Sequence, residues 1–202
     1  MVREELLTTM ASRTIVRMMG LLAFVPLFAC GKAGAETAAQ FDNAQRMKFP
    51  ADYRKWVFLS SGHGMSYSPA AAAATEPPFD DVFVDPVSYG MFSRTGRWRE
   101  GTVLVLEIRG GQSRGSINKQ GAFQAGQPIA VEVHVKNSRR FRGGWAFFSF
   151  DRAKPAEKIA TTAECYSCHQ QNAVVDTTFV QFYPTLLPIA QQNGAFRRIA
   201  LR

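Results

Sequence analysis

Cysteine and histidine are scarce in this chain of 202 residues, which contains three of each. Two of the cysteines and one histidine fall together at Cys165, Cys168 and His169, whereas His63 and His134 stand far from them in the sequence. A structural zinc site requires four protein ligands, and the sequence offers no second cluster of cysteine and histidine to complete one. Zinc is therefore the weaker interpretation of the C-x-x-C spacing.

The amino-terminal region lacks an apolar run long enough to cross a membrane. The run at residues 18–29 is shorter than the roughly 20 residues that a membrane-spanning helix needs. Arg13 and Arg17 precede it, as basic residues precede the apolar segment of a secretory signal. We therefore expect residues 1–35 to be a signal peptide and the mature protein to be periplasmic.

Two ways of processing this signal are open. Cleavage after the A-x-A sequence at residues 33–35 gives a soluble protein, which is the interpretation that we favour. Residues 27–30 instead resemble a bacterial lipoprotein box, in which case Cys30 carries a lipid anchor. In both cases residues 36–48 form a flexible lead-in, and residues 49–202 form one domain.

Acidic residues are also few, since the chain has 24 basic and 16 acidic residues. Loss of residues 1–35 removes four basic and two acidic residues, so the mature chain keeps a net charge of +6. Basic surfaces often bind nucleic acid, but an exported protein has little access to it. We predict no nucleic-acid partner and assign the charge to a solvated face or to a docking patch for a soluble acidic redox partner.

The pentapeptide at residues 165–169 is the C-x-x-C-H signature of c-type haem attachment. Two thiols add to the two vinyl groups of haem, and the adjacent imidazole binds the iron. Thr161 and Glu164 have the spacing of a capping box, which predicts a helix that starts there. On such a helix Cys165, Cys168 and His169 share one face. The motif predicts one covalently attached haem c, with His169 as the metal ligand.

Two further interpretations of the cysteine pair are weaker. A thioredoxin-like redox pair would open a helix that follows a strand in a βαβ unit, and that pattern is not found around Cys165. A structural disulfide between Cys165 and Cys168, across two intervening residues, is weaker still.

Strand patterns dominate the rest of the domain. Residues 128–136 alternate strictly, which sends Ile129 and three valines to one face and Glu132 and His134 to the other. The predicted fold is α+β: a mainly antiparallel β-sheet with a few short helices, of which the carboxyl-terminal helix carries the haem motif. We expect strands at residues 57–59, 82–84, 102–108, 128–136 and 145–150, and helices at residues 50–56 and after Asp85-Pro86.

Several sequence blocks follow one another in a characteristic order. They are Tyr53-Arg54-Lys55-Trp56, Asp85-Pro86-Val87-Ser88-Tyr89, residues 95–103, Glu132, Arg140-Phe141, residues 145–150, Cys165-Tyr166-Ser167-Cys168-His169 and Gln181-Phe182-Tyr183-Pro184. In these blocks the chain resembles the cytochrome P-460 family, which includes the beta-sheet type of cytochrome c-prime. The resemblance implies an antiparallel β fold over residues 49–202, a homodimer, and one five-coordinate haem whose open side binds small nitrogen compounds such as nitric oxide or hydroxylamine.

The resemblance also assigns roles to single residues. Cys165 and Cys168 match the two thioether positions, and His169 matches the proximal ligand. Glu132 matches the distal carboxylate of members that oxidise hydroxylamine, which makes it the catalytic candidate. Leu106 stands where those members carry a lysine that is cross-linked to the porphyrin, and a leucine has no amine to form that bond. This departure weakens the enzyme hypothesis, although Lys119 or Lys136 could replace the missing lysine.

Three functions follow from these residues. In the first, Leu106, with phenylalanines such as Phe83 and Phe147 nearby, forms an apolar distal wall for a gas-binding protein. In the second, an oxidoreductase uses Glu132 as proton acceptor for hydroxylamine or nitric oxide. In the third, a low-spin electron carrier fills the sixth site with methionine or histidine. We expect His63 and His134 to lie on the surface, and Met47, Met65 and Met91 to pack in the core.

Overall fold

The computed structural model describes residues 38–65, 76–115 and 117–198. Five strands form one antiparallel sheet in which the spatial order follows the order of the sequence. The predicted mainly antiparallel α+β fold is thereby confirmed. The signal segment and Cys30 lie outside the described residues. The strands are β1 Val57–His63, β2 Phe79–Val84, β3 Val103–Gln112, β4 Phe123–Lys136 and β5 Trp145–Phe150.

Three short helices accompany the sheet: α1 Pro86–Thr95, α2 Glu164–Asn172 and α3 Leu187–Gln192. The expected Asp-Pro helix start is confirmed at α1. The Asp85 carboxylate accepts hydrogen bonds from the backbone N–H groups of Ser88 and Val103, both at 2.9 Å, so it caps α1 and ties the helix to β3. In the part of the chain that the structure describes, no helix has the length and apolar character needed to span a membrane.

Two helix predictions need correction. The helix expected over residues 50–56 is reduced to a single 3-10 turn at Tyr53–Lys55. The capping box expected at Thr161 does not form, because a turn closed by the Ala163 N–H and the Ala160 carbonyl comes first. Helix α2 therefore begins at Glu164, and its N-cap, Ala163, has no side chain able to cap it.

The sheet buries apolar side chains on both faces. On the first face, valines of β3 and β4 and phenylalanines of β5 pack against Met47 and Tyr53. On the second face, residues of β1, β2, β3 and β5 pack under α1, α3 and the segment that leads to α3. The cluster on the second face consists of Leu59, Val84, Phe92, Trp98, Leu104, Trp145, Val174, Val175, Val180, Tyr183, Leu186 and Ala190.

The alternation predicted for β4 holds only from Val131 onward. Ile129 is 68% exposed rather than buried with the valines. The register between β3 and β4 shifts on both sides of Arg109, opposite Pro128 and Ala130, so the pleat is interrupted there. Ile129 therefore falls out of the buried row, whereas Glu132 keeps its predicted place on the other face.

The contact between α1 and α3 depends on Gly96, which ends α1 with φ +67°. A Cβ at this position would lie 2.8 Å from the Asn193 Cβ and 3.1 Å from the Ile189 carbonyl oxygen. Gly194 has a similar φ of +63° but no atom within 4 Å of such a Cβ. Both glycines thus have a left-handed backbone, and of the two only Gly96 would bring a Cβ close to the residues at the end of α3.

We expect Gly96→Ala to lower the free energy of unfolding by about 2–4 kcal/mol. The left-handed backbone costs roughly 1–2 kcal/mol for alanine, and displacement of α3 adds roughly 1–2 kcal/mol. Gly194→Ala is the matched control and should lose about 1–2 kcal/mol, from the backbone alone. Urea unfolding followed by circular dichroism measures both, and equal losses would show that the close approach of the two helices is unimportant.

Candidate functional site

Helix α2 buries none of its nine residues, which is unusual for a helix placed against a sheet. Cys165, Cys168 and His169 occupy one side of it and are each half-buried. Both cysteines are free thiols, so the disulfide interpretation finds no support in the structure. A helix with two free thiols and an uncovered face has the surface that a covalently attached prosthetic group would cover.

Tyr166 fixes α2 to the edge strand β5. Its hydroxyl donates to the Ile159 carbonyl at 3.2 Å and accepts from the Phe147 N–H at 3.3 Å. Its ring also meets the Phe147 ring edge-on, with 4.8 Å between centroids. Tyr166, one of the two residues between the cysteines, therefore holds α2 against β5.

His169 is prepared as a metal ligand. Its Nδ1 lies 2.7 Å from the Thr177 carbonyl oxygen, so this nitrogen carries the proton and donates it. The Nε2 lone pair is then available for iron. Burial lowers the pKa of His169, which favours the neutral imidazole that a metal requires. The rings of Phe147 and Phe179 flank the imidazole, with centroids at 4.6 and 4.3 Å.

Glu132 and Leu106 lie directly opposite each other on β4 and β3. Leu104 and His134 form the neighbouring pair, and His134 contacts His169, so all four side chains share the face that carries α2. We call this the site face. The structure thus brings the predicted distal residues, Leu106 and Glu132, to the same side of the sheet as the haem motif.

Glu132 is half-buried, and burial raises the pKa of its carboxyl group above the ordinary value. Burial also raises the pKa of the Cys165 thiol, and the charge of Glu132 contributes to that increase. The two residues are therefore close enough to interact. Ser149 and Leu106 are the cross-strand neighbours of Glu132, so neither residue directly opposite it is a cation.

Asp80 is a site-face residue that the sequence analysis did not identify. Asp80 on β2 lies opposite Ile108 on β3, and Ile108 is two residues along that strand from Leu106. Its Oδ2 is buried without a hydrogen-bond partner among the described residues. Burial, then the charges of Asp81 and Glu132, raise the pKa of Asp80 to about 6. Alternation with Val82 and Val84 places Asp80 on this face, and that pattern was the available signal.

His134 was expected on the surface, and that expectation is wrong, since the residue is 7% exposed. Its ring meets the His169 ring edge-on, with 5.2 Å between centroids. Two rings in contact leave no room for a porphyrin between them, so His134 does not lie opposite His169 as a sixth ligand. His63 is exposed, as expected for a surface histidine.

The expected apolar wall also changes in composition. Phe83 packs with Tyr53 on the opposite face of the sheet and does not line the site. Phe147 lies against the ring of His169. Val82, the cross-strand neighbour of Leu106 on β2, supplies apolar surface beside it. The wall therefore consists of aliphatic side chains next to Leu106.

The three methionines that were expected in the core differ in burial. Met47 is fully buried in the cluster on the opposite face, and the core interpretation holds for it. Met91 is half-buried on α1. Met65 is 55% exposed, so the core interpretation is wrong there.

Among the described residues, no group of three or more histidine, cysteine or acidic side chains is arranged to hold a metal ion.

Comparison with known proteins identifies the family of the chain. A family model described as cytochrome P-460 matches residues 50–180. The matched range includes Leu106, Glu132 and the pentapeptide on α2. No curated protein matches the chain.

Proposed function

Because this chain belongs to the cytochrome P-460 family, it is a haem-binding cytochrome, and we propose that it is an exported mono-haem c-type cytochrome that binds small nitrogen compounds. The ligands that we propose are nitric oxide and hydroxylamine. One observation carries the proposal. His169 lies on the helix that also presents two free thiols, and its Nδ1 donates a 2.7 Å hydrogen bond to the Thr177 carbonyl. When bound, the haem supplies an iron that holds the ligand and can take up electrons.

Cys165 and Cys168 would hold the group through thioether bonds, and His169 would bind the metal through Nε2. This assignment is supported by the half-buried thiols and by the protonated Nδ1 of His169. Tyr166 keeps the helix against β5, so the three groups hold a common orientation. The residues therefore fit one covalently attached haem c.

The side chains beyond the motif support ligand binding as the primary activity. Leu106 and Val82 present aliphatic surface, which suits neutral diatomic ligands and offers no strong sixth ligand. Leu106 also lacks the amine that would modify the porphyrin. Glu132 supports a second function, the oxidation of hydroxylamine, because a half-buried carboxylate with a raised pKa can accept a proton.

The setting of the protein in the cell is also a proposal. We place it in the periplasm, either free or anchored by a lipid on Cys30, with a soluble redox partner and as a homodimer. The signal-like amino terminus and the basic mature chain support export and docking with an acidic partner.

Spectra of the ferrous protein, purified after export, test the proposed function. We expect a high-spin five-coordinate spectrum that changes completely when nitric oxide is added. A low-spin spectrum that does not respond to nitric oxide would overturn the proposal and select the electron carrier. Hydroxylamine-dependent reduction of an external acceptor would add the enzymatic function, and its absence together with tight nitric oxide binding would leave ligand binding alone.

If hydroxylamine is oxidised, Glu132→Gln should lower turnover by about 10²–10⁴-fold and leave nitric oxide binding within a few-fold. In the native protein turnover should rise with pH as Glu132 loses its proton, in a range above that of an ordinary glutamate, because burial raises its pKa. The variant should lose this increase. Steady-state rates over a pH series measure both effects.

Control variants separate Glu132 from its neighbours. Asp80 interacts with Glu132 and His63, so Asp80→Asn tests whether a second carboxyl group shapes the pH profile. Asp151→Asn changes an exposed carboxylate paired with Lys154 and should leave turnover unchanged. Full turnover in Glu132→Gln would remove Glu132 from the reaction.

A further inference from the structure

The proposed function does not use the ring of His134, which is buried beside α2. It stacks on Phe147 with 3.9 Å between centroids and an interplanar angle of 11°, and it packs against Trp145 at 4.3 Å. A buried imidazole needs a hydrogen-bond partner, because an unsatisfied ring nitrogen costs about 1–3 kcal/mol.

The partner of His134 is Thr177. The His134 Nε2 lies 3.3 Å from the Thr177 Oγ1. The carbonyl of the same Thr177 accepts the hydrogen bond from His169 Nδ1 at 2.7 Å. One residue therefore joins the two histidines, with its side chain directed to the first and its backbone to the second.

The backbone around Thr177 is held from several sides. Residues 175–178 form a tight turn, which we call the axial turn, closed by the Thr178 N–H donating to the Val175 carbonyl at 2.9 Å. The Thr178 hydroxyl donates to that same carbonyl at 2.8 Å and accepts from the Trp98 indole N–H at 2.8 Å. Lys136 Nζ binds the Asp176 carboxylate at 2.7 Å. The carbonyl that meets His169 thus sits on a braced turn.

We propose that His134 and Thr177 are positioning residues that orient the ring of His169 and strengthen its Nδ1–H hydrogen bond, and so tune the iron. The proposal rests on the ligation of iron by His169 in the proposed function. A ligand imidazole that donates its other N–H to a well-placed carbonyl keeps one tautomer and becomes a stronger base at Nε2. A stronger donor stabilises the ferric state relative to the ferrous state and lowers the reduction potential.

The arrangement is specific to the hydroxyl of Thr177. His134 lies on β4 and Thr177 beyond α2, so the bond between them ties the axial turn to the sheet independently of α2. Without this bond the turn keeps its internal hydrogen bonds and the Lys136–Asp176 ion pair, but Thr177 itself loses its side-chain contact with β4. The His169 ring then gains rotational freedom, while the fold keeps its core.

Three single variants of the haem-loaded protein, and one double variant that combines Thr177→Val with His134→Phe, test the proposal. Thr177→Val removes the hydroxyl and keeps the backbone carbonyl, and His134→Phe keeps an aromatic ring but removes the nitrogen. Both should raise the reduction potential and lower the iron–histidine stretching frequency in the ferrous resonance Raman spectrum. Thr177→Ser restores a hydroxyl and should match the native protein in both measurements. Because the two residues act along one path, the double variant should shift no further than either single variant.

The outcomes separate this inference from the proposed function. If Thr177→Val and His134→Phe lose stability but keep the native potential and stretching frequency, the two residues are only structural and the inference is overturned. Absence of an iron–histidine band in the native protein would overturn the proposed ligation itself, and this inference with it.

A measurement on the native protein covers the case in which the variants do not fold. In the diamagnetic ferrous carbonyl form, NMR can follow exchange of the His169 Nδ1 proton with solvent. Slow exchange supports a braced hydrogen bond, and exchange as fast as that of a free imidazole overturns it.

Discussion

The double variant C165S/C168S is expected to lose all covalently bound haem. The native protein should keep its colour in the protein fraction when it is treated with acidified organic solvent. A hydroxyl does not replace a thiol in the addition to a vinyl group, so the double variant should release any haem that it binds. Each single variant should keep one thioether bond. Mass spectrometry of the peptide that contains residues 165–169 measures the number of bonds directly.

A matched control lies between the two cysteines. Ser167 is exposed, and its hydroxyl donates to the Glu164 carbonyl at 3.0 Å within α2 itself, so Ser167→Ala should leave attachment complete. Haem that stays bound to the double variant in acidified solvent would contradict the assignment of the thioether bonds.

The same mass spectrum tests whether a lysine replaces the residue missing at Leu106. The Lys136 Nζ is engaged by the Trp98 carbonyl at 3.0 Å and by Asp176 at 2.7 Å, and its side chain is only 18% exposed. We therefore expect no cross-link from Lys136. A haem peptide joined to a third segment, such as one that contains Lys119, would show that the porphyrin is modified despite Leu106.

The sheet was predictable where the local pattern and the long-range pairing agree. The valines of β3 and β4 follow the period of a buried strand, and β5 is rich in aromatic residues, so these strands emerged from the sequence. The position of Ile129 did not, because a register shift opposite Arg109 interrupts the pleat. The register of a strand depends on its partner strand, so it cannot be predicted from the sequence of one strand alone.

Some residues of the candidate site were predictable from the sequence and others were not. Cys165, Cys168 and His169 are neighbours on one helix, so their common face follows from helical geometry alone. His134 could not be placed from its own segment, because the rings that enclose it come from β5 and α2. Asp80 is an intermediate case: alternation places it on the site face, but its raised pKa arises from burial and from charges on other residues.

One face of the sheet carries the candidate site, and the other face contributes to the stability of the fold. The site face carries α2, Leu106 and Glu132. The opposite face holds a buried carboxylate, Glu107, the neighbour of Leu106 along β3. Neighbouring residues in a strand point to opposite faces, so a change at Glu107 can alter stability without entering the site.

Glu107→Gln is expected to lower the free energy of unfolding by about 2–4 kcal/mol, which is the largest stability effect that we predict for a single substitution on the opposite face. The Glu107 side chain is 3% exposed and meets two guanidinium groups, that of Arg54 at 2.8 Å and that of Arg109 at 3.3 Å. It also accepts a hydrogen bond from the Tyr53 hydroxyl. Removal of the charge leaves both arginines without their anion, although the half-exposed Arg54 regains water and reduces the loss.

An exposed ion pair nearby provides the control for this prediction. Asp52→Asn breaks the pair between Lys55 and Asp52, in which both side chains are more than 70% exposed, and should cost less than about 0.5 kcal/mol. Urea unfolding measures both variants, and the visible spectrum of the haem should be the same in each as in the native protein. An altered spectrum in Glu107→Gln would contradict the separation of the two faces, and a loss no larger than that of Asp52→Asn would show that the buried carboxylate contributes little to folding.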